Sequence, residues 1–206
     1  MVEYIDFRED KPKKRIKGKI IFTKKEVIDI IKSWLVLSLA FTFVYVGFNF
    51  SLTGVYVFLA SAFTVGIGFI LHELGHKFTA ERLGRDAHFV AFDAMLIMTL
   101  VVSFLGFIFF APGGVFIGGG YIDRKKNGII STFGPLVNII LALVFMPFYI
   151  FSPYNLILFF GFKINSWLAL FNMLPFGNFD GRKIFDWSKL VYFSMAIGAG
   201  VMVFLV

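Results

Sequence analysis

The stretch VYVFLASAFTVGIGFILHELGH, residues 55–76, stays apolar for about one bilayer thickness and then presents two histidines and a glutamate. A membrane span needs roughly 20 mostly apolar residues. Ionisable groups at the end of such a run are costly in lipid and are kept where function requires them. His72 and His76 are four residues apart, so on a helix they project from one face, about one turn from each other. That spacing lets two imidazoles grip one cation, and Glu73 beside the first can reach a water bound to it. Zinc lowers the pKa of such a water to about 7, and a nearby carboxylate can take its proton during attack on a carbonyl. The competing explanation is a chance match with interfacial histidines. Against it, these are two of only three histidines in the chain, and the run before them is free of charge from Ser33 to Leu71.

Outward from this stretch, the same charge map repeats. No Asp, Glu, Lys or Arg occurs from Ala94 to Ile122, from Asn127 to Phe162, or from Leu190 to Val206. The 206 residues are 58% apolar and 16% charged, with thirty phenylalanines, and the mean hydropathy is +0.82. A soluble domain has a charged share nearer 25%. The sequence therefore predicts an all-α multi-span membrane protein of about five to six transmembrane helices. The absence of cysteine excludes a disulfide framework and a thiolate metal site, so a transition-metal site must draw on His, Asp or Glu. The basic excess sits mostly in Lys11, Lys13, Lys14, Arg15, Lys17, Lys19, Lys24 and Lys25. A basic arm beside a first apolar run marks the cytoplasmic side, which places the N-terminus in the cytosol and predicts no nucleic-acid partner. The arm is too long for an ordinary cleaved signal peptide. Residues 1–28 are expected to form this arm, with an amphipathic stretch near Ile20–Ile31, and 29–206 one membrane-embedded domain.

Spans are expected at about 34–48, 55–83, 129–150, 156–174 and 190–206, with 92–110 apolar and long enough to cross once. Small residues Ala60, Ala62, Gly66 and Gly68 suit close helix packing in lipid. Lys77, Arg82 and Arg85 favour a cytosolic end for the second span, and Gly134-Pro135 is expected to break the span 129–150 near its start. A catalytic zinc site typically has three protein ligands. His88 is expected in a loop, which leaves Asp180, after the break Pro175–Gly177, as the better third candidate. The residues alone leave two readings of Asp180 open: a ligand aimed sideways by the break, or the first residue of a cytosolic loop.

HELGH on a transmembrane helix, GPLVN at Gly134–Asn138 and NMLPFGNFDG at Asn172–Gly181 together resemble the three signatures of the site-2 protease family of intramembrane zinc metalloproteases (peptidase M50-like). They occur in the family's order, and the resemblance covers about residues 55–190. It implies one zinc ion held by His72, His76 and Asp180, Glu73 as general base, and Asn172 close to the active centre, where it steadies substrate or oxyanion. It also implies transmembrane protein substrates and a multi-pass protein of the cell membrane. Arg182 stands where many members have a second glycine, and no stretch resembles a PDZ domain, so the likeness is to the compact members.

If Asp180 is to meet His72 and His76, all three must lie at one depth. Single crossings by 92–110, 129–150 and 156–174 would put Asp180 on the opposite face, so 92–122 is expected to be a re-entrant or hairpin element near the site. Within it, Val115, Phe116 and Ile117, or alternatively Gly120–Ile122, could offer a sheet edge to an unwound substrate; the bland reading is that these glycines permit tight packing. Asn138 is a further candidate substrate contact, or an interhelical hydrogen bond. Lys163 could be functional or could snorkel, and Asp93 and His88 read as interfacial. Two other function classes compete: a non-catalytic scaffold of the same fold that binds membrane partners, and a transporter with an intramembrane metal site. The second would carry paired broken helices in corresponding halves, and the sequence has no such symmetry.

Overall fold

A computed structural model describes residues 20–48, 51–108 and 112–204. Thr23 caps the first helix, α1 (Lys24–Val46), by accepting the Glu26 N–H at 3.1 Å. The helix starts well before the expected span at Trp34 and passes residue 28 unbroken. Hydropathy marks where lipid begins; the cap marks where the helix begins. Residues 1–19 of the basic arm lie outside the described residues.

Helix α2 (Leu52–Arg82) carries the HELGH motif and contains a π-helical turn at Ala62–Gly66. The small residues do pack closely. A Cβ on Gly66 would lie 2.4 Å from the Trp34 ring, and the Trp34 indole N–H donates to the Ala62 carbonyl at 3.0 Å. Then come strand β1 (Ala87–Ala91), helix α3 (Asp93–Ser103) and strand β2 (Gly113–Ile117). The strands pair antiparallel, from Ala87 opposite Ile117 to Ala91 opposite Gly113. The chain thus returns to the place it left. Helix α3 has 11 residues and rises about 16 Å, roughly half of the 30 Å hydrocarbon core. The described parts of this segment leave and return as a hairpin, around a helix shorter than a membrane crossing needs.

Helix α4 (Arg124–Phe151) begins at an Asp123 cap and runs through Pro135 and Pro147, so Gly134-Pro135 does not break it. A proline removes one amide donor, and neighbouring helices in a membrane protein compensate. Helix α5 (Leu156–Asn172) includes a second π-helical turn, Phe160–Ile164, which packs against the first. Helices α6 (Asp180–Trp187) and α7 (Lys189–Phe204) complete the described chain. Helices α1, α2 and α4 are long and apolar enough to cross a membrane, and α3, α5 and α7 are shorter apolar helices. The protein is a helical multi-span membrane protein with one small two-stranded sheet.

Lys77, one of the charges read as favouring a cytosolic end, lies inside the protein. Its side chain is fully buried; the ammonium donates to the Ala87 carbonyl at 2.7 Å and lies 2.9 Å from Glu26 and 3.1 Å from Glu81. The first turns of α1 cover it. Glu26 also accepts the Phe89 N–H at 2.9 Å, and Asp29 accepts that of Ala91 at 3.3 Å. One buried charge cluster thus ties the start of α1, the end of α2 and β1 together.

Candidate metal centre

His72 and His76 leave α2 on the face that meets α4. Gly75 makes this approach possible, since a Cβ there would lie 2.9 Å from the Phe133 carbonyl. Asp180 arrives as the first residue of α6. The following Gly181 lets α6 press on the end of α5, where a Cβ would lie 2.3 Å from the Met173 backbone. His72, His76 and Asp180 are all buried, and their ligand atoms lie within 4.8 Å of one another. The Nε2 atoms of the two histidines are 3.1 Å apart, and Asp180 Oδ2 lies 3.0 Å from His76 Nε2 and 3.5 Å from His72 Nε2.

The other ring nitrogens are also committed. His76 Nδ1–H donates to the Ile130 carbonyl at 2.9 Å, and His72 Nδ1–H to Asn138 Oδ1 at 2.6 Å. A backbone carbonyl only accepts, so His76 must carry its proton on Nδ1. In the neutral form both Nε2 lone pairs then face the Asp180 carboxylate, with no proton among them. Such a set of three acceptors can hold a cation. The dimensions agree with zinc: bonds of about 2.0–2.1 Å in a tetrahedron give donor–donor edges of about 3.3 Å. Nitrogen and oxygen donors in this number suit zinc chemically as well. Helix α4 leaves room at the same point. A Cβ on Gly134 would lie 2.2 Å from His76 Nε2 and 2.6 Å from His72 Nε2, so the bare glycine keeps open the space between the ligands.

Glu73 and Asn172 share a cavity with the first of the histidines. This mostly apolar cavity of about 500 Å³ is also lined by Asn138 and rings such as Phe41, Phe171 and Phe179. Asn172 is tied to its own helix through Nδ2, which donates to the Leu168 carbonyl at 2.9 Å. The Val115 backbone N–H donates to the Glu73 carboxylate, bringing β2 to the site. Since Phe89 and Ala91 turn their N–H groups towards α1, the ladder bonds fall on the alternate pairs His88–Phe116 and Val90–Gly114. The outward backbone groups of β2 are therefore those of Gly113, Val115 and Ile117. The Phe116 amide is engaged with β1, and its half-exposed ring meets Phe92 edge-on.

Asn138 reaches a ligand and not the triad's centre, as the partner of His72. The weaker candidates fall elsewhere: Asp93 pairs with Lys32, His88 stands opposite Phe116 in the sheet, and the Lys163 ammonium lies over the Tyr149 and Phe162 rings. The carbonyl of Ile130 and the open face of Gly134 had no sequence signal of their own beyond the GPLVN pattern.

Comparison with known proteins gives two informative likenesses. The chain is 40% identical over 176 residues to the "Putative zinc metalloprotease MJ0611" of Methanocaldococcus jannaschii, a match covering 83% of this chain and 88% of that protein. It is 28% identical over 148 residues to the "Putative zinc metalloprotease Rip2" of Mycobacterium tuberculosis, covering 62% of this chain and 56% of that protein. No family model matches, and no solved structure matches.

Proposed function

The chain belongs to the same zinc metalloprotease family as the archaeal relative, and on that premise we propose a zinc-dependent endopeptidase of the site-2 protease type, cutting transmembrane segments of other membrane proteins. The observation that carries this reading is the convergence at 3.0–3.5 Å of His72 and His76, on a helix apolar and long enough to span a membrane, with Asp180 from the start of α6. These three residues would hold one zinc ion, which would supply a Lewis acid able to make water nucleophilic near neutral pH.

The protein's own groups do the rest. Glu73 accepts a proton from the attacking water and passes it to the leaving amide nitrogen. The Val115 N–H holds its carboxylate in place. Asn172 spends one N–H on Leu168 and keeps the second for the oxyanion that develops on the scissile carbonyl. The apolar cavity takes the side chains beside the cleaved bond and limits water. A helical substrate must unwind before its carbonyl can be attacked, and the outward groups of Gly113 and Ile117, with the Val115 carbonyl, supply partners for its freed backbone. Among the described residues β2 has no second strand beside it. The protein lies in the cell membrane with its N-terminus and Arg124–Lys126 in the cytosol, as the charge bias favours.

Cleavage of single-span membrane substrates by purified protein in detergent, with Glu73→Gln alongside and metal counted in both, tests the reading. Cleavage should fall at least about 100-fold in the mutant with about one zinc per chain kept. A wild-type protein that binds no zinc under any loading condition, or a mutant that cleaves as well as wild type, overturns it.

A further inference from the structure

Asn165 is assigned no role by its motif context, yet it is fully buried and sits at the end of a directed hydrogen-bond chain that stops at a metal ligand. Its Nδ2 donates to the Gly161 carbonyl at 3.0 Å. Its Oδ1 accepts from Asn138 Nδ2 at 3.0 Å, and that nitrogen also faces the Gly68 carbonyl at 3.4 Å. Asn138 Oδ1 in turn accepts the His72 Nδ1–H at 2.6 Å.

The direction of this chain is set from its far end. An asparagine amide can present either oxygen or nitrogen to a neighbour, and its partners decide which. The Gly161 carbonyl can only accept, so the end of Asn165 facing it must be the NH₂. The other end of Asn165 is then an oxygen, and Asn138 must offer it an NH₂. Asn138 consequently turns its oxygen to His72. An oxygen there requires a proton on His72 Nδ1 and leaves the Nε2 lone pair directed at His76 and Asp180. Were Asn138 reversed, His72 would carry its proton on Nε2, in the space where the three ligands converge. Space is made for this chain as well: a Cβ on Gly68 would lie 2.4 Å from Asn165 Oδ1. Both Asn165 and Gly161 lie at the second π-helical turn.

We propose that Asn165 is a positioning residue for the metal centre, acting through Asn138 to fix His72 in its metal-binding tautomer. The inference rests on the proposal that His72, His76 and Asp180 hold zinc. Groups that orient a histidine ligand are worth about 10–100-fold in metal affinity. Two substitutions separate this role from simple packing. Asn165→Asp keeps an acceptor facing Asn138, whereas Asn165→Leu, of similar size, removes it.

Zinc affinity of the full-length protein in detergent would be measured by chelator competition, with the thermal midpoint of each variant recorded. Asn165→Leu should bind zinc about 10–100-fold more weakly, and Asn165→Asp should stay within a few-fold of wild type even if its midpoint falls. In the zinc-loaded wild type, the His72 Nδ1–H should give a slowly exchanging, strongly hydrogen-bonded NMR signal; the chain has only three histidines to assign. Equal loss of affinity in both variants, no loss in either, or absence of that signal overturns the proposal. Wild-type protein that binds no zinc defeats the metal-site reading itself, which is a different result.

Discussion

At the scale of single residues, the site is defined as much by a missing side chain as by those present. Gly134 lies inside a helix, where alanine is the better helix former by about 1 kcal/mol. Stability alone would therefore favour Gly134→Ala. The added Cβ, however, would stand 2.2 Å and 2.6 Å from the two ligand nitrogens. Those nitrogens are the tips of side chains and can swing aside, so the helix survives and the ligand geometry does not. The expected outcome is a metal-free thermal midpoint equal to or above that of metal-free wild type, with zinc content near zero. Metal analysis beside a melting curve reads both quantities. A variant that retains one zinc would show that the space at Gly134 is not needed. The importance of this position was half legible in the sequence. The GPLVN pattern marked it, but only the approach of α4 to α2 gives the physical reason.

At the scale of elements, the hairpin and the helix ends that hold it decide how the site is presented. Lys77 joins α1, α2 and β1 from a fully buried position. Removing one partner of a buried ion pair leaves the others uncompensated and typically costs 3–5 kcal/mol, so Lys77→Met should destabilise the protein by about that much. Denaturation in mixed detergent would measure it, and a loss below about 1 kcal/mol would mean that the cluster contributes little. Sequence alone read Lys77 only as one of the charges that favour a cytosolic end, because its burial depends on Glu26 far away in the chain. The register of the hairpin makes a second, sharper prediction. The Ile117 N–H faces outward and the Phe116 N–H faces β1. Proline at 117 removes one edge donor without touching the ladder, since edge positions tolerate proline. One hydrogen bond is worth about 0.5–1.5 kcal/mol, so Ile117→Pro should slow cleavage about 3- to 10-fold at unchanged zinc content. Cleavage at the wild-type rate would remove β2 from substrate binding. Phe116→Pro should instead unfold the hairpin and lower the thermal midpoint.

At the scale of the whole molecule, the sequence pointed to two candidate histidine ligands and to the membrane class because both depend on rare features: two histidines at helical spacing, and charge-free runs too long for a soluble core; for Asp180 it left two readings open until the family resemblance implied a ligand. It was silent on Asn165, since an asparagine in an apolar helix has no spacing signature. The path of 92–112 was legible only through a constraint on the whole chain, that Asp180 and His72 share one depth, and the antiparallel pairing of Ala91 with Gly113 satisfies it. The same constraint fixes which ends lie together. The start of α4 adjoins the end of α2, through Ile130 and His76, and adjoins α6, through Gly128 and Trp187. Helix α4 has 28 residues and rises about 42 Å, more than the 30 Å core, so its two ends belong on opposite faces. With no native cysteine to remove, single substitutions report the topology cleanly. Lys125→Cys and Lys183→Cys should both react with an impermeant thiol reagent only from the cytosolic side, and Tyr154→Cys only from the outside. Labelling of Lys125→Cys from outside would separate the start of α4 from the basic arm. The excursion 92–112 would then have to cross the membrane, and the site as assembled from His72, His76 and Asp180 could not form.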